Sequence, residues 1–471
     1  MADTPVPLLF RPLAAKAEIP SKRDMALLPD DLVDCIRQTG PDIIGFSCFS
    51  DDWPFTLWLI RRVNRVFPET PIVVGGIHAT IAPDEVLKHR EIMAVCIGEG
   101  EQALVELLDS HKKGRFDSSI RNFWFKVDGG IRRNTLRPPL EFNARTPFAD
   151  WSIYNDNHFI YPFEGKLYRR GSVSLSRGCP FSCSFCVNDF FKSGLNSGQH
   201  RLRRKDIDYA IEELVYLKTT HRLEFLRFWD ETFLAMPRKY ISDFSRKYRD
   251  RIGLPFTIET TADSITRQNA GILKEMGCRS VSIGVETSNQ EQRRQLLKKN
   301  ITNAQYERAF KILTDIGIRK VANFMFLLPC QTVEEMYRCI LLCADWQVES
   351  PSPRIFYPYK GTALRNYCFQ KGLINTAMIE KLEDENRIQS LDGLSSEYMT
   401  FQDTVLRIPE KIQEQGRLLM ENFVLLQETP RWMHSWIKEL LSHEDKRTAL
   451  MVQGLRKAVF EKRFGKGRAA S

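Results

Sequence analysis

At 471 residues, with 43% hydrophobic and 27% charged residues, the chain has room for two or three domains and the balance of an ordinary water-soluble protein. No run of about 18 apolar residues occurs, which excludes a membrane-spanning helix, and the proline-rich start, Met1 to Pro20, lacks the apolar core of a secretory signal. The net charge of +9 is modest, and eleven cysteines, an odd number, fit a reducing compartment with a metal site better than a disulfide framework.

From Leu27 to Leu108 the pattern alternates helix and strand. Asp30 to Thr39 predicts a short amphipathic helix and Asp42 to Ser47 a buried strand. Thr56 to Phe67 predicts a second helix. Ile72 to Val74 predicts a strand that ends in Gly75-Gly76-Ile77-His78-Ala79-Thr80. A third strand, Ala94 to Ile97, runs into Gly98-Glu99-Gly100-Glu101 and another helix. Strand, glycine turn and helix in repetition predict an open parallel sheet, with ligands at the carboxyl ends of its strands. Glycines there let backbone approach a phosphate or an amide-rich tail. Asn122 to Val127 and Ile131 to Arg133, joined by Asp128-Gly129-Gly130, predict a hairpin.

From Ser172 the alternation resumes six times. Strands are expected at 173–176, 223–228, 255–260, 280–284, 319–326 and 354–357, with helices such as 206–218 and 333–346 between them. After the first strand comes Ser176-Arg177-Gly178-Cys179-Pro180-Phe181-Ser182-Cys183-Ser184-Phe185-Cys186. Three thiolates at C-x3-C-x2-C can hold three irons of a 4Fe–4S cluster, which leaves the fourth iron without a protein ligand from the motif. A zinc site is the alternative, but zinc wants four closed ligands. No second C-x2-C follows, and His200 is the nearest downstream histidine. After the second strand comes Phe228-Trp229-Asp230-Glu231, whose two carboxylates are more than a helix cap needs. Gly284-Val285-Glu286-Thr287-Ser288 follows the fourth strand, Leu327-Leu328-Pro329-Cys330-Gln331-Thr332 the fifth and Tyr357-Pro358-Tyr359-Lys360-Gly361-Thr362 the sixth. Cys35, Cys48, Cys96, Cys278, Cys339, Cys343 and Cys368 read as buried packing.

Beyond Gly372 the pattern is helical, with 410–426 opening after Pro409 and 431–441 carrying Trp432, Met433 and Trp436. The end, Lys446 to Ser471, sets eight Lys/Arg against Glu461 and reads as a solvated, partly disordered tail.

The cysteine run resembles the signature of the radical SAM superfamily. Pro41 to Ser47, Gly75 to Thr80 with Pro83-Asp84-Glu85, and Gly98 to Glu101 resemble the cobalamin (B12)-binding domain that precedes the radical domain in one large subfamily. The resemblance covers roughly residues 27–372. It implies an α/β chain with an N-terminal open parallel, Rossmann-like sheet at 1–140 and a linker at 141–170. A partial (βα)6 radical SAM barrel at 171–372 and a C-terminal helical cap with the basic tail at 373–471 would follow. Family members begin with one more strand and helix, so the first βα unit is expected to be missing or degenerate.

The resemblance also implies roles. Cys179, Cys183 and Cys186 would hold the 4Fe–4S cluster, whose open iron chelates S-adenosylmethionine (SAM). Phe185, Asp230, Glu231 and Glu286 would contact SAM, and Ser47, Gly75, Gly76, His78, Gly98, Glu99 and Gly100 would contact cobalamin. No D-x-H-x-x-G run supplies a histidine to cobalt, so His78 is a tail contact or a turn residue. Thr287-Ser288 and Cys330 stand where relatives carry glycine.

The implied reaction is reductive SAM cleavage and hydrogen abstraction from a substrate carbon, with C-methylation through methylcobalamin. The alternative is cobalamin-independent radical cyclisation, rearrangement or carbon–carbon coupling. The implied partners are a small-molecule or lipid substrate and an electron donor such as flavodoxin or ferredoxin, without nucleic acid. The expected location is the cytoplasm, with the basic tail as a route to a membrane surface. A nucleic-acid or membrane adaptor would not need the cysteine loop. A tRNA methylthiolase would need a second cysteine cluster, which the scattered Cys35, Cys48 and Cys96 do not supply.

Overall fold

The computed structural model describes residues 22–141, 146–195, 202–384, 404–441 and 446–464; the proline-rich start, His200 and the last residues of the tail lie outside them. Three short parallel strands, β1 (Ile44–Ser47), β2 (Ile72–Gly75) and β3 (Ala94–Cys96), open the fold. An antiparallel hairpin, β4 (Phe123–Val127) and β5 (Gly130–Arg133), continues the same sheet in the order β1-β2-β3-β4-β5. The small sheet is therefore mixed, and the expected hairpin is its antiparallel edge.

Its core follows from sequence periodicity. Trp53, Leu57, Ile60 and Val63 recur at helical spacing on Trp53–Val66 and pack with Ile44, Ile72 and Val74. Ala103, Leu107, Phe123 and Phe125 cover the other face, against Val73 and Ala94. Each large aliphatic side chain so buried contributes about 1.5–3 kcal/mol. The first helix runs Lys22–Thr39, eight residues earlier than expected, because Pro29 reads as a boundary and is instead inside it.

Nine further strands follow: β6 (Ile160–Phe163), β7 (Lys166–Val173), β8 (Ser176–Arg177), β9 (Arg203–Arg204), β10 (Phe225–Phe228), β11 (Phe256–Thr260), β12 (Cys278–Glu286), β13 (Arg319–Phe326) and β14 (Ser350–Ile355). Seven of them form one curled sheet in the order β14-β13-β12-β11-β10-β7-β6, while β8 and β9 make a separate two-stranded ribbon. β7 pairs in parallel with β10, β11 to β14 pair in parallel in succession, and β6 is an antiparallel edge. This is the expected half-barrel.

By its internal contacts the chain falls into two units. Unit one comprises Met1–Glu231, Arg246–Pro255 and Tyr357–Val405, and so holds the small sheet, the cysteine loop and β6 to β10. Unit two comprises Thr232–Ser245, Phe256–Phe356 and Leu406–Ser471, and so holds β11 to β14 and the C-terminal helices. In unit two the expected helix 410–426 is broken into Glu410–Glu421 and Phe423–Glu428 at the buried Asn422, whose Oδ1 accepts from Arg456 at 2.7 Å. Lys446–Phe464 is a helix, which replaces the disordered tail expected there. No helix among the described residues is long and apolar enough to cross a membrane.

Candidate functional site

The cysteine loop lies in unit one, between β8 and the short helix Val187–Phe190. Gly178, at φ +85°, turns the chain out of β8. Cys179, Cys183 and Cys186 are all half-buried. The Cys186 N–H donates to the Cys183 carbonyl at 3.0 Å, and Asn188 Nδ2 reaches Cys186 Sγ at 3.5 Å. Lys192 donates to the Phe181 carbonyl and, at 2.9 Å, to Ser182 Oγ. The Leu364 N–H donates to the Ser184 carbonyl at 2.7 Å, so the helix Ala363–Gln370 also pins the loop. Phe185 is half-buried between the last two cysteines.

Burial, and then the nearby Cys186 and Glu231, push the Cys179 thiol above its ordinary value, with the Phe181 N–H and Lys192 partly opposing. Bound iron reverses that balance, because a coordinating thiol loses its proton to the metal's charge. Among the described residues no three Cys, His, Asp or Glu side chains converge on one point, as a single ion requires. A cubane instead meets each thiolate at a separate corner, and a short loop bearing three half-buried thiols fits that demand.

The acidic pair after β10 divides. Asp230 is 1% exposed and accepts from the Leu175 N–H at 3.0 Å and from Ser176 Oγ at 2.5 Å. Burial pushes its carboxyl up to about 6, against those hydrogen bonds and Lys205. It therefore braces the entry to the cysteine loop. Glu231 is exposed. Trp229 is 50% exposed, with the Arg227 guanidinium 3.4 Å over its ring.

In unit two Glu286 sits at the end of β12, 8% exposed and at φ +70°. Lys299 Nζ pairs with its Oε1 at 2.8 Å and donates to the Gly284 carbonyl at 2.6 Å. A Cβ on Gly284 would stand 2.2 Å from that same carboxylate oxygen, which explains the glycine. The turn that follows is satisfied: Thr287 Oγ1 donates to Gln292 Oε1 at 3.0 Å and Ser288 Oγ to the Glu335 carbonyl at 2.6 Å. Arg293, fully buried, donates to the Thr287 carbonyl and, at 2.8 Å, to that of Ile301. Leu327 and Cys330 after β13 also have positive φ, +59° and +60°, and Cys330 is exposed. Non-glycine residues held in that region store strain of order 1–3 kcal/mol and cluster at functional turns.

The small sheet presents a second set of turns. Gly76, at φ +92°, lies so close to β1 that a Cβ would meet Cys48 N and O and Ser47 Oγ, each at 2.8 Å. Thr80 Oγ1 donates to the Gly76 carbonyl at 2.8 Å and accepts from the Gly98 N–H at 3.0 Å, which joins the turns after β2 and β3. Gly75, Gly98 and Gly100 thus leave backbone bare at the strand ends, the cradle that a threading cofactor tail needs. His78 is 1% exposed, stacked on Trp53 with centroids 4.9 Å apart, with Nδ1 3.2 Å from Ser50 Oγ. It serves the turn from inside the domain. Glu99 points toward the cysteine loop: it accepts from Arg203 at 2.5 Å, Arg177 at 3.1 Å and the Leu140 N–H at 2.7 Å. Burial pushes its carboxyl up, but Arg203, the Leu140 N–H and Arg177 outweigh burial and hold it below the usual range.

Residues 173–343 match the family model of the radical SAM superfamily, and residues 20–108 match that of the B12 binding domain. The chain carries a radical SAM domain and, before it, a B12 binding domain. The first of these domains implies a 4Fe–4S cluster and SAM as cofactors, and the second implies cobalamin. It is 26% identical over 371 residues to an uncharacterized methyltransferase of Pyrococcus horikoshii, covering 79% of this chain and 78% of that one. It is 28% identical over 395 residues to the anaerobic magnesium-protoporphyrin IX monomethyl ester cyclase of Rubrivivax gelatinosus, covering 80% and 68%. The fold matches that of the radical SAM methyltransferase TsrM of Kitasatospora setae, with TM-score 0.61 at 16% identity over 78% of this chain and 76% of that one.

Four buried thiols outside the loop are quiet. Burial first of all pushes Cys48, Cys96, Cys278 and Cys339 up to about 12. Sequence reasoning missed four supports: Arg177 and Arg203 on Glu99, Lys299 on Glu286, and Lys360, which bridges Glu85 at 2.7 Å and Glu383 at 3.2 Å. Their partners lie from 13 to 275 residues away, beyond any local pattern.

Proposed function

We propose that this protein cleaves SAM reductively and methylates an unactivated carbon of a small-molecule substrate. The observation that carries the reading is the half-buried three-thiol loop, braced by Asp230 and by Glu99 from the B12-binding sheet within unit one. When bound, the cluster would supply the electron that breaks the SAM sulfonium, and cobalamin would serve as the methyl carrier. Cys179, Cys183 and Cys186 hold the iron, and Asp230 fixes the strand from which their loop departs. Phe185 and Glu231 in unit one are candidates to bind and orient SAM, and Glu286 in unit two is a separate candidate. Ser47, Gly75, Gly76, Gly98 and Gly100 line the cobalamin tail, and His78 shapes their turn. Electrons come from a flavodoxin- or ferredoxin-type donor. Methyl transfer is preferred to cyclisation because the Pyrococcus relative, covered over most of its length, is described as a methyltransferase.

The test is anaerobic reconstitution. Iron should approach ~4 per chain, and dithionite with SAM should release 5′-deoxyadenosine. Changing all three loop cysteines to alanine should abolish both. Stoichiometric zinc without iron uptake sinks the reading. Hydroxocobalamin should co-elute with the protein on a sizing column, and failure to do so removes methyl transfer by the cobalamin route.

A further inference from the structure

The stretch from Tyr357 to Arg365 lies against two turns of unit one. On one side it meets the turn after β2. Lys360 Nζ donates to both carboxylate oxygens of Glu85, at 2.8 and 2.7 Å. Glu85 sits on the short helix Pro83–Val86 that closes this turn, with Oε1 3.9 Å from His78 Nε2. On the other side the stretch meets the cysteine loop and its exit. The Leu364 N–H donates to the carbonyl of Ser184, which lies between the second and third cysteines, at 2.7 Å. Gly361, at φ +80°, stands between the two: a Cβ there would lie 3.4 Å from the Phe190 ring and 3.5 Å from Ile81.

The stretch has its own anchor. Glu383, at the end of the helix Thr376–Glu383, accepts from Tyr357 Oη at 2.6 Å and from Arg365 at 2.6 and 3.1 Å, and pairs with Lys360 at 3.2 Å. Burial pushes its carboxyl up, but Arg365, Lys360 and Tyr357 outweigh burial and hold it below the usual range. Lys360 is thus shared by two carboxylates, one on the B12-binding domain and one on the anchor. The Lys360, Glu85 and Glu383 side chains are 24%, 21% and 17% exposed. Charge-assisted bonds so placed are among the strong ones and are little screened by salt. Without the ammonium, Glu85 and Glu383 would face each other as like charges.

We infer that Lys360 is a positioning residue that locks the turn after β2 to the cysteine loop, so that cobalamin on the one and the cluster in the other favour each other's binding. The inference rests on the proposed cluster and cobalamin sites, and not on SAM cleavage. The Glu99 brace joins the turn after β3 to the entry of the loop, at Arg177, whereas the Lys360 link joins the turn after β2 to its later half. Cobalamin that orders the turn and a cluster that orders the loop each lower the ordering cost left to the other. Such a coupling is one free energy, read with the same size from either end.

The experiment uses the full chain with and without its reconstituted cluster, and measures the dissociation constant of hydroxocobalamin by equilibrium dialysis. In the parent the cluster should tighten hydroxocobalamin about tenfold, within the usual range of coupling between two sites. Lys360→Met should cut that ratio to about threefold or less with the far-ultraviolet spectrum unchanged, and Lys360→Arg, which keeps the charge, should restore it. Glu85→Gln cuts the link at its other end, leaves Lys360 on Glu383, and should lower the ratio in the same way; it decides alone if Lys360→Met does not fold. Equal dissociation constants with and without the cluster in the parent, or a ratio that a folded variant leaves unchanged, overturn the inference. If the parent takes up no iron, the cluster reading and this inference fall together. If it takes up iron but binds no hydroxocobalamin, the cobalamin reading fails separately, and iron release to a chelator decides the link. Release about threefold faster in Lys360→Met and Glu85→Gln, as loss of a charge-assisted bond gives, supports it, and parental rates overturn it.

Discussion

The Glu286 and Lys299 side chains are each 10% exposed and 2.8 Å apart, so removing Glu286 leaves a buried ammonium without its carboxylate. Glu286→Ala should cost about 3–5 kcal/mol, the range for breaking a buried pair from one side. Glu286→Gln keeps an acceptor for Lys299 and should preserve the fold while weakening SAM about tenfold, a loss of about 1.4 kcal/mol. Thermal denaturation and SAM equilibrium dialysis of both variants separate the two effects; equal Tm values for parent and Glu286→Ala would remove the ion-pair argument. Asp52 gives a pH signature. Burial, and then Asp51, push its carboxyl up from 3.8 to about 6. The fold therefore favours the neutral form, and this contribution is complete below pH ~4 and lost as pH rises through ~6. Asp52→Asn should stabilise the cluster-free protein at pH 8 by about 1–2 kcal/mol, after discount for its partial exposure, with the gap closing toward pH ~4. Denaturant melts at the two pH values check the sign.

At the scale of elements, two turns carry the argument. Gly76→Ala puts a methyl 2.8 Å from Cys48 backbone atoms at φ +92°. It should cost at least about 1–2 kcal/mol and abolish hydroxocobalamin retention on a sizing column. Cys330→Gly relieves a left-handed residue on an exposed turn and should raise stability by about 1 kcal/mol in urea melts. The same scale shows what could be read from sequence. The strand Arg319–Phe326 was legible to the residue because it alternates without proline or glycine. β14 was expected at 354–357 and runs Ser350–Ile355, because Pro351 and Pro353 read as strand breakers. As an edge strand it pairs on one side only, where proline is tolerated. β7 was expected at 173–176 and ends at Val173, because Lys166 to Arg170 look like a solvated loop. Arg170 in fact lies 3.5 Å over the Tyr161 ring of the neighbouring strand.

At the scale of the molecule, the cysteine loop was legible because its chemistry is written in three cysteines at two short spacings. Its supports were not, because Glu99 meets Arg203 across 104 residues and Lys360 meets Glu85 across 275. Local periodicity carries no trace of such pairs. Glu99→Ala should leave Arg177 and Arg203 without their shared carboxylate and loosen the loop. Iron loss to a chelator should speed up about tenfold or more, since each charged hydrogen bond lost is worth about 1.5–3 kcal/mol, with the far-ultraviolet spectrum unchanged. Unaltered iron retention would assign Glu99 to the small sheet alone.

The order of the chain gives that carboxylate a place in biogenesis. Glu99 leaves the ribosome before Arg177, and Arg203 leaves last. The acceptor is made before its donors, on a sheet whose core residues all precede the cysteines. A chain halted after the cysteines but before Arg203 would lack the 2.5 Å contact to Glu99. Metal insertion at that stage would meet a loop without Arg203 on its carboxylate and without the later Asp230 and Leu364 braces, so the bracing of the loop is completed only when most of the chain has been made.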